Sequence, residues 1–346
     1  MAKQLRLALI GFGTVGQGLA EILQSSADLL AAQQDIHAEI VAVSDLLKGS
    51  VYCPSGLTID ALLAAGRSGN LASYPDQPGL VRGLDALATI AQSNADVIIE
   101  VSYTDLKTGE PALSHVRAAF EAGKHAIITN KGPVALAYRK LADLAKRQGV
   151  FFGYEGTVMS GTPALRMAQT DLAGCTIHEV RGILNGTTNY ILTQMENGAP
   201  YSAALAEAQH LGYAEAEPSG DVEGFDAAGK LVILANTVLG AALGMNDVDR
   251  TGITGLTPAD IETARANGQR WKLIARAVRT DTGIAASVRP ERLPLADPLA
   301  SVGGVSNAIT YDTDMLGAVT LIGPGAGRKE TGFAILSDLV ALARTL

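Results

Sequence analysis

The first residues of the chain combine a short apolar run with a glycine-rich turn, and this combination restricts the fold more than any other feature. Residues 5–10 are mostly apolar, as expected for a strand that is buried on both faces of a parallel sheet. Residues 11–16 then read G-x-G-x-x-G, and residues 17–30 have the composition of a helix. That glycine pattern is weak evidence alone, but between a strand and a helix it predicts a dinucleotide-binding βαβ unit.

The residues of this turn have distinct expected tasks toward a dinucleotide. The first glycine permits a tight turn, the second lets the backbone approach a pyrophosphate, and the third allows close packing of helix on strand. The helix that follows offers its first amide groups and a favourable dipole to the phosphates. We therefore expect cofactor contacts from Gly11, Gly13, Thr14, Val15 and Gly16.

Strands alternate with helices up to about residue 150, which predicts a doubly wound parallel sheet. The run 95–101 is strand-like, and the polar loop that begins at Ser102 should lie over the cofactor. The run 125–129 delivers Lys131 at its carboxyl end. Ligands bind at the carboxyl ends of parallel strands, so we expect Lys131 beside the nicotinamide. The next helix is expected over residues 138–148.

Asp45 ends the predicted second strand, 39–44, and bears on the choice of cofactor. An acid at this position would accept hydrogen bonds from an adenosine ribose, which favours NAD. Lys48 lies close enough in sequence to offset that charge and to accept a 2′-phosphate instead. The choice between NAD and NADP stays open.

Residues 211–240 contain a second concentration of charged groups. The chain should be helical from about residue 222, with Ser219 or Asp221 as its cap, and its apolar tail predicts a buried helix. A lysine at the rim of such a helix needs partners, because burying an ammonium group alone is costly. A solvated surface pair is the alternative, but we favour a cleft lined by Glu215, Asp221, Asp226 and Lys230.

Glu155 precedes a loop of small residues that extends to Pro163. A carboxylate followed by exposed carbonyl groups can form an all-oxygen cation site, although spacing alone favours an interdomain hinge. Thr162 is a candidate cap for a helix that starts with Pro163.

The length of 346 residues allows two domains. We expect a dinucleotide-binding domain over 1–150, to which 310–346 returns, and an α+β domain for substrate binding and dimerisation over 151–309. The net charge of −8 argues against a nucleic-acid partner. Cys53 and Cys175 are expected to be free thiols in a reducing compartment. The longest apolar stretch, 231–245, is too short to span a membrane, so we expect a soluble, cytoplasmic protein.

Taken together, the motifs resemble the homoserine dehydrogenase family in its short monofunctional form. The matching segments are 11–16, 129–133, 154–158, 182–190, 211–230 and 323–327, the last followed by 337–339. The resemblance implies reduction of L-aspartate 4-semialdehyde to L-homoserine with NADPH or NADH, in the biosynthesis of threonine, methionine and isoleucine. It also implies a homodimer.

The resemblance further implies roles for individual residues. Lys230 matches the proton donor, and Lys131 matches a lysine that meets the cofactor and stabilises the developing alkoxide. The positions matched to substrate binding are Glu215, Asp226, Asp221 and Tyr213, and those matched to the cofactor include Gly212 and Gly325. A structural sodium ion is implied at Glu155, Val158, Ser160 and Thr162.

Two other functions remain open at this point. One is a related dehydrogenase that acts on another small amino-acid aldehyde or 2-oxo acid. The other is a protein that senses NAD(P) without catalysis, although a sensor has no need for both Lys131 and Lys230 together with the acids.

Overall fold

A computed structural model describes residues 3–346, which form two compact units. The first contains the residues up to Gly161 together with Gly327–Leu346, and the second is Thr162–Ala326. Residues 151–161 therefore group with the first unit, and residues 310–326 with the second.

The strands, in chain order, are β1 Lys3–Ile10, β2 Ile36–Asp45, β3 Gly49–Tyr52, β4 Val81–Arg82, β5 Val97–Glu100, β6 His125–Ile128, β7 Phe152–Gly153, β8 Ile177–Ile183, β9 Val248–Arg250, β10 Gln269–Thr280, β11 Gly283–Pro294, β12 Ser306–Thr313 and β13 Gly317–Pro324. The helices are α1 Thr14–Gln34, α2 Ile59–Arg67, α3 Ala86–Gln92, α4 Ala112–Glu121, α5 Lys131–Gln148, α6 Ala164–Arg166, α7 Gly186–Glu196, α8 Tyr201–His210, α9 Ser219–Val222, α10 Phe225–Thr237, α11 Pro258–Ala266 and α12 Arg328–Ala343.

The sheet of the first unit has the order β4-β3-β2-β1-β5-β6-β7 in the described part of the chain. Strands β2, β1, β5, β6 and β7 are parallel, whereas β3 and β4 add an antiparallel edge. From β1 the chain builds outward to β2 on one side and later returns to β5 on the other. The crevice between the ends of β1 and β5 is therefore the topological switch point, where ligands of such sheets bind.

The core of the first unit is formed by one face of β1 and the helices that cover it. Leu5, Leu7 and Leu9 alternate along β1 and are fully buried against Leu19 of α1 and Leu339 of α12. Each leucine buried in this way contributes about 1.5–3 kcal/mol to folding. This packing fixes the position at which β1 ends and the glycine turn begins.

The second unit contains a mixed sheet of order β13-β12-β8-β10-β11-β9, in which only β9 and β11 pair in parallel within the described residues. The apolar helix α10 is buried along Ala227–Asn236, as its composition predicted. The predicted fold class, a doubly wound sheet with a second α+β unit, is confirmed.

The predicted start and cap of the buried helix were wrong. Ser219 and Asp221 lie in the separate turn α9, and α10 begins only after Gly224, without a side-chain cap. Gly224 has a φ of +80°, a conformation that glycine adopts without a steric penalty, and it separates the two helices.

Helix α5 also begins earlier than predicted, at Lys131 rather than Tyr138. The side chain of Asn130 caps it by accepting a hydrogen bond from the amide of Gly132, 3.1 Å away. Non-helical dihedral angles at Ala137 then interrupt the helix. The sequence pattern therefore detected only the second segment, because glycine and proline in the first turn resemble a loop.

Along residues 3–346, no helix has both the length and the apolar composition needed to cross a membrane.

Candidate active site

The glycine turn between β1 and α1 is shaped by close backbone contacts. A Cβ atom at Gly11, whose φ is +100°, would lie 2.6 Å from the carbonyl oxygen of Val101. One at Gly16 would lie 2.8 Å from the carbonyl oxygen of Gly11, so both positions require glycine. At Gly13, by contrast, a Cβ would meet no atom within 4 Å. The turn thus leaves open space above Gly13, where a pyrophosphate could approach the backbone.

The start of helix α1 keeps its donor groups available. Gly13 is the N-cap and provides no side-chain cap, and the first turn carries no acidic residue. Thr14 is exposed and Val15 half-buried at this helix start. Amide groups in this position, together with the helix dipole, favour a bound anion.

Asp45 holds the glycine turn in place. Its Oδ2 atom accepts a hydrogen bond from the amide of Phe12 at 2.7 Å, and its Oδ1 accepts from the amides of Leu47 and Lys48 at 3.0 Å each. Burial raises the pKa of the Asp45 carboxyl, but these three amide hydrogen bonds outweigh burial and leave the pKa below its ordinary value. The carboxylate therefore stays charged beside the turn.

Lys48 completes this arrangement. Its Nζ atom donates to the carbonyl oxygen of Phe12 at 3.0 Å and lies 3.8 Å from Oδ2 of Asp45. The lysine is thus engaged with the glycine turn and with the acid that precedes it.

Ser102 and Lys131 follow β5 and β6 at the carboxyl edge of the same sheet. Ser102 is half-buried, and the side-chain Nδ2 atom of Asn130 donates to the carbonyl oxygen of Tyr103 at 2.7 Å. Lys131, also half-buried, is the first residue of α5 directly after Asn130. Sequence reasoning placed both residues at strand ends, and the structure places them there.

In the second unit, Lys230 lies at the centre of a buried polar cluster. Its Nζ atom donates to Oδ2 of Asp226 at 2.8 Å and to the carbonyl oxygen of Leu184 at 2.6 Å. Only 7% of Lys230 is exposed, so the alternative of a solvated surface pair was wrong. The predicted pairing of Asp226 with Lys230 across one helical turn is confirmed.

Asn185 connects the carboxylates of this cluster, a role that sequence reasoning missed. Its Nδ2 atom donates to Oδ1 of Asp221 at 2.7 Å and to Oδ2 of Asp226 at 3.0 Å. Its Oδ1 accepts from the amide of Thr188 at 2.9 Å, which caps α7. The available signal was the polar run after β8, where a cap residue was to be expected.

Burial raises the pKa of the Asp221 carboxyl, and the nearby charge of Asp226 raises it further. The hydrogen bond from Asn185 and the charge of Lys230 act in the opposite direction, but the net shift is upward. Two acids, one amide and one ammonium therefore form a connected set whose charges depend on one another.

The remaining predicted substrate and cofactor residues of this unit lie nearer the surface. Glu215 is exposed, and among the described residues its carboxylate has no hydrogen bond or ion pair with the cluster. Tyr213 is 42% exposed and packs edge-on against Tyr190, while its carbonyl oxygen accepts from the hydroxyl of Thr187. Gly212 is exposed, with a φ of +74°.

Gly325 also belongs to the second unit and follows β13. A Cβ atom there would lie 2.2 Å from the side chain of Asn307, so a larger residue would require Asn307 to move.

The predicted cation loop has an unusual backbone. Met159 and Ser160 are consecutive non-glycine residues with φ values of +57° and +53°, a strained conformation that turns the chain sharply. Glu155 and Val158 are buried, and the amide of Glu155 donates to Oδ2 of Asp338 at 3.1 Å. Ser160 is also buried, with its hydroxyl 2.8 Å from that of Thr331.

Thr162 begins the second unit and does not cap α6, contrary to the prediction. Its hydroxyl instead donates to the carbonyl oxygen of Pro324 at 2.9 Å. Across residues 3–346, no group of three or more His, Cys, Asp or Glu side chains is placed to hold a metal ion.

Comparisons with known proteins agree with these features. A family model for the NAD-binding domain of homoserine dehydrogenase matches residues 11–155, and one for homoserine dehydrogenase matches residues 163–340. An NAD(+)-dependent homoserine dehydrogenase from Pseudomonas canavaninivorans is 46% identical over 339 residues, which are 97% of this chain and 96% of the relative.

Solved structures show the same similarity. A homoserine dehydrogenase from Thiobacillus denitrificans superposes with a TM-score of 0.85 at 31% identity, over 99% of this chain and 74% of that one. A hyperthermophilic archaeal homoserine dehydrogenase in complex with NADPH gives a TM-score of 0.84 at 27% identity, over 99% of both chains.

A doubly wound sheet with a matched NAD-binding family model defines an NAD(P)-dependent oxidoreductase. More narrowly, the chain belongs to the homoserine dehydrogenase family. The resemblance stated from the sequence motifs is thereby confirmed.

Proposed function

We propose that Lys230 is the proton donor in the interconversion of L-aspartate 4-semialdehyde and L-homoserine. The observation that supports this role is the way the ammonium group is held. Lysine has three N–H donors, and two of them are directed to Asp226 and to the carbonyl oxygen of Leu184. The third is left to meet a substrate oxygen.

NAD(P)H, when bound, supplies the hydride that reaches the aldehyde carbon. The carbonyl oxygen gains negative charge as this occurs, and a lysine ammonium aimed at it stabilises the transition state and then donates its proton. Asp226 orients the ammonium group of Lys230 through a hydrogen bond, and Asn185 holds Asp226 in turn. From the family resemblance we also assign a catalytic role to Lys131, and we assign Asp221, Tyr213 and Glu215 to binding of the substrate.

Homoserine oxidation, followed by NAD(P)H absorbance, tests this proposal. We expect turnover of homoserine and, in the reverse direction, of aspartate semialdehyde in preference to other short aldehydes and 2-oxo acids. Equal or better rates with another substrate class would contradict the proposal.

We propose further that the preferred cofactor is NAD. The carboxylate of Asp45 carries its charge at the end of β2, where an adenosine ribose binds in folds of this type. Lys48, the cation that could accept a 2′-phosphate, is engaged with Phe12 and Asp45. The Pseudomonas relative is described as NAD(+)-dependent, whereas the archaeal structure was solved with NADPH. Steady-state rates with NAD and with NADP test the proposed preference.

We infer a structural sodium site in the first unit at Glu155, Val158 and Ser160. Support comes from a buried carboxylate followed by two consecutive residues with positive φ, which turn successive carbonyl groups away from a regular ladder. Thr162 stays a predicted further ligand. The melting temperature in NaCl should be higher than in choline chloride of equal ionic strength, and Glu155→Gln should remove the difference.

We also propose the roles of the two units and the state of the protein. The first unit would bind the dinucleotide, and the second would bind substrate and form a homodimer. Exposed Met315 and Leu316, at 71% and 63%, offer apolar surface for the dimer, which light scattering can test. Free thiols at Cys53 and Cys175 support a cytoplasmic location.

A further inference from the structure

Glu100 is the last residue of β5 and is fully buried, at 0% exposure. Three groups converge on its Oε1 atom: the amide of Ser102 at 3.3 Å and the hydroxyl of Ser102 both donate to it, and Nδ1 of His115 lies 3.3 Å away and donates in the tautomer that carries a proton there. Its Oε2 atom is buried and has no hydrogen-bond partner among the described residues. Burying a carboxylate costs free energy unless it is hydrogen-bonded. Two of the three groups that contact this one belong to a single neighbour, Ser102.

That neighbour lies at the topological switch point of the sheet. Ser102 follows β5 as Gly11 follows β1, and a Cβ at Gly11 would lie 2.9 Å from the amide nitrogen of Ser102. The glycine turn and Ser102 are therefore in direct contact. In a doubly wound sheet this position faces the nicotinamide half of the cofactor.

The hydrogen bonds to Glu100 determine whether the hydroxyl of Ser102 can still donate or can only accept. A serine hydroxyl has one proton to donate and two lone pairs that accept. The hydroxyl of Ser102 donates its proton to Oε1 of Glu100, the same atom that accepts from the amide of Ser102. Oγ of Ser102 consequently presents only lone pairs toward the crevice.

The backbone of the same loop is fixed from the other side. The side-chain Nδ2 atom of Asn130 donates to the carbonyl oxygens of Ser102 at 3.4 Å and Tyr103 at 2.7 Å. The carbonyl oxygen of Ser102 is thus held, and its amide and hydroxyl protons are both directed to Glu100, so Ser102 has no spare donor.

We propose that Glu100, supported by His115, is a positioning residue that makes Ser102 a dedicated hydrogen-bond acceptor for the nicotinamide riboside half of the cofactor. The group recognised is a donor, either the carboxamide N–H or a ribose O–H, and a phosphate oxygen is disfavoured there because it only accepts. This inference rests on the proposed NAD(P)-dependent function and adds a recognition contact to it.

The test measures discrimination between cofactors that differ in one donor. In 3-acetylpyridine adenine dinucleotide, a methyl group replaces the carboxamide nitrogen; in a second analogue, the nicotinamide ribose lacks its 2′-hydroxyl. The quantity compared is kcat/KM for NAD+ divided by kcat/KM for each analogue, with homoserine as substrate. Because the intrinsic reactivity of an analogue is common to all variants, it cancels from the comparison.

We expect Ser102→Ala and Glu100→Met each to lower this ratio roughly 3- to 10-fold for one of the two analogues, as expected for one lost hydrogen bond. The double variant should show no further loss, since both changes remove the same contact. The analogue that responds identifies the donor. Glu100→Gln should keep the ratio within about twofold, because the same three groups hold its amide oxygen at the Oε1 position.

A purely structural role for Glu100 predicts lower thermal stability or lower kcat with unchanged ratios for both analogues, and that result would overturn the proposal. Should Glu100→Met fail to fold, Glu100→Asp, which withdraws the carboxylate by one methylene, should lower the same ratio. Ser44→Ala removes another buried hydroxyl, bonded to the carbonyl oxygen of Leu84, and should change neither ratio. If the wild-type enzyme turned over no homoserine, the proposed function itself would fail; an active enzyme with constant ratios contradicts this inference alone.

Discussion

Lys230 and Asp226 form an ion pair of 2.8 Å across one turn of the buried helix α10. The pair is shielded from water, since the lysine side chain is 9% exposed and the aspartate 23%. An ammonium in such surroundings is costly without its carboxylate, and the proton-donor role proposed for Lys230 gives a reason for keeping this pair buried.

Replacing Lys230 tests the chemical role directly. We expect Lys230→Ala to lower kcat by roughly 100- to 10,000-fold, the range for loss of a general acid. The dissociation constant for NADH, from fluorescence titration, should change little because the proposed cofactor contacts lie elsewhere.

Lys272 provides a matched control in the same unit. It is 1% exposed and lies 3.7 Å from Oε1 of Glu196. Burial lowers the pKa of its ammonium group. Lys272→Met should change thermal stability while kcat stays within a few-fold of wild type. Near-native turnover by Lys230→Ala would refute the assignment of the proton donor.

The buried carboxyl group of Asp221 should make the stability of the protein depend on pH in a direction that can be worked out. Burial raises the pKa of its carboxyl above the unfolded value, so folding favours the protonated form. Its contribution is therefore greatest at pH values below the unfolded carboxyl pKa, about 3.9, and is lost as the pH rises through the folded value. We expect Asp221→Asn to melt at a higher temperature than wild type at neutral pH and to lose this advantage in acid.

Asp226→Asn is the comparison variant for this measurement. It leaves the buried ammonium of Lys230 without its carboxylate, so it should melt at a lower temperature than wild type at neutral pH. If both variants shifted the melting temperature at neutral pH in the same direction, Asp221 and Asp226 would not differ as the structure indicates.

The sequence was sufficient to predict the local part of this site. The apolar tail of α10 indicated burial, and four-residue spacing indicated the pair of Asp226 with Lys230. Strands β1, β5 and β6 were likewise predicted, because buried parallel strands are continuous apolar runs.

Contacts that depend on tertiary folding could not be read in the same way. Asn185 precedes Asp226 by 41 residues, and the carbonyl oxygen of Leu184 carries no side-chain signature. Both reach α10 only because β8 ends beside it. The antiparallel strands β3 and β4 were missed because they are short and lack a clear alternation.

The effect of replacing Asn185 on activity and stability should depend on which residue replaces it. Asn185→Asp can still cap α7 but places a third carboxylate against Asp221 and Asp226, so it should lose activity and stability. Asn185→Ala loses the cap as well, at a cost of about 1 kcal/mol. Urea unfolding and kcat measured on both variants separate capping from electrostatics. Equal activity of Asn185→Asp and wild type would contradict the role assigned to the amide.

Two glycines of the first turn should respond differently to alanine. Gly11→Ala forces a Cβ against the carbonyl oxygen of Val101 at a positive φ, so we expect a loss of about 1–3 kcal/mol in the free energy of unfolding. Gly13→Ala meets open space and should fold normally, but its methyl group occupies the predicted path of the pyrophosphate. A rise in KM for NAD of roughly tenfold is expected, which corresponds to about 1.4 kcal/mol. Unchanged KM for a stable Gly13→Ala would show that the pyrophosphate lies elsewhere.

Asp45 and Lys48 should shift cofactor preference in opposite directions. Asp45→Asn removes the charge that opposes a 2′-phosphate and loosens the contact of Lys48, so kcat/KM for NAD relative to NADP should fall by roughly tenfold, about 1.4 kcal/mol. Lys48→Met removes the nearby cation and should raise that ratio, chiefly through poorer use of NADP. Steady-state rates with both cofactors, measured at one ionic strength because charge effects are screened by salt, provide the comparison. If both variants moved the ratio in the same direction, the effect would come from loosening of the glycine turn, and the charge of Asp45 would not select the cofactor.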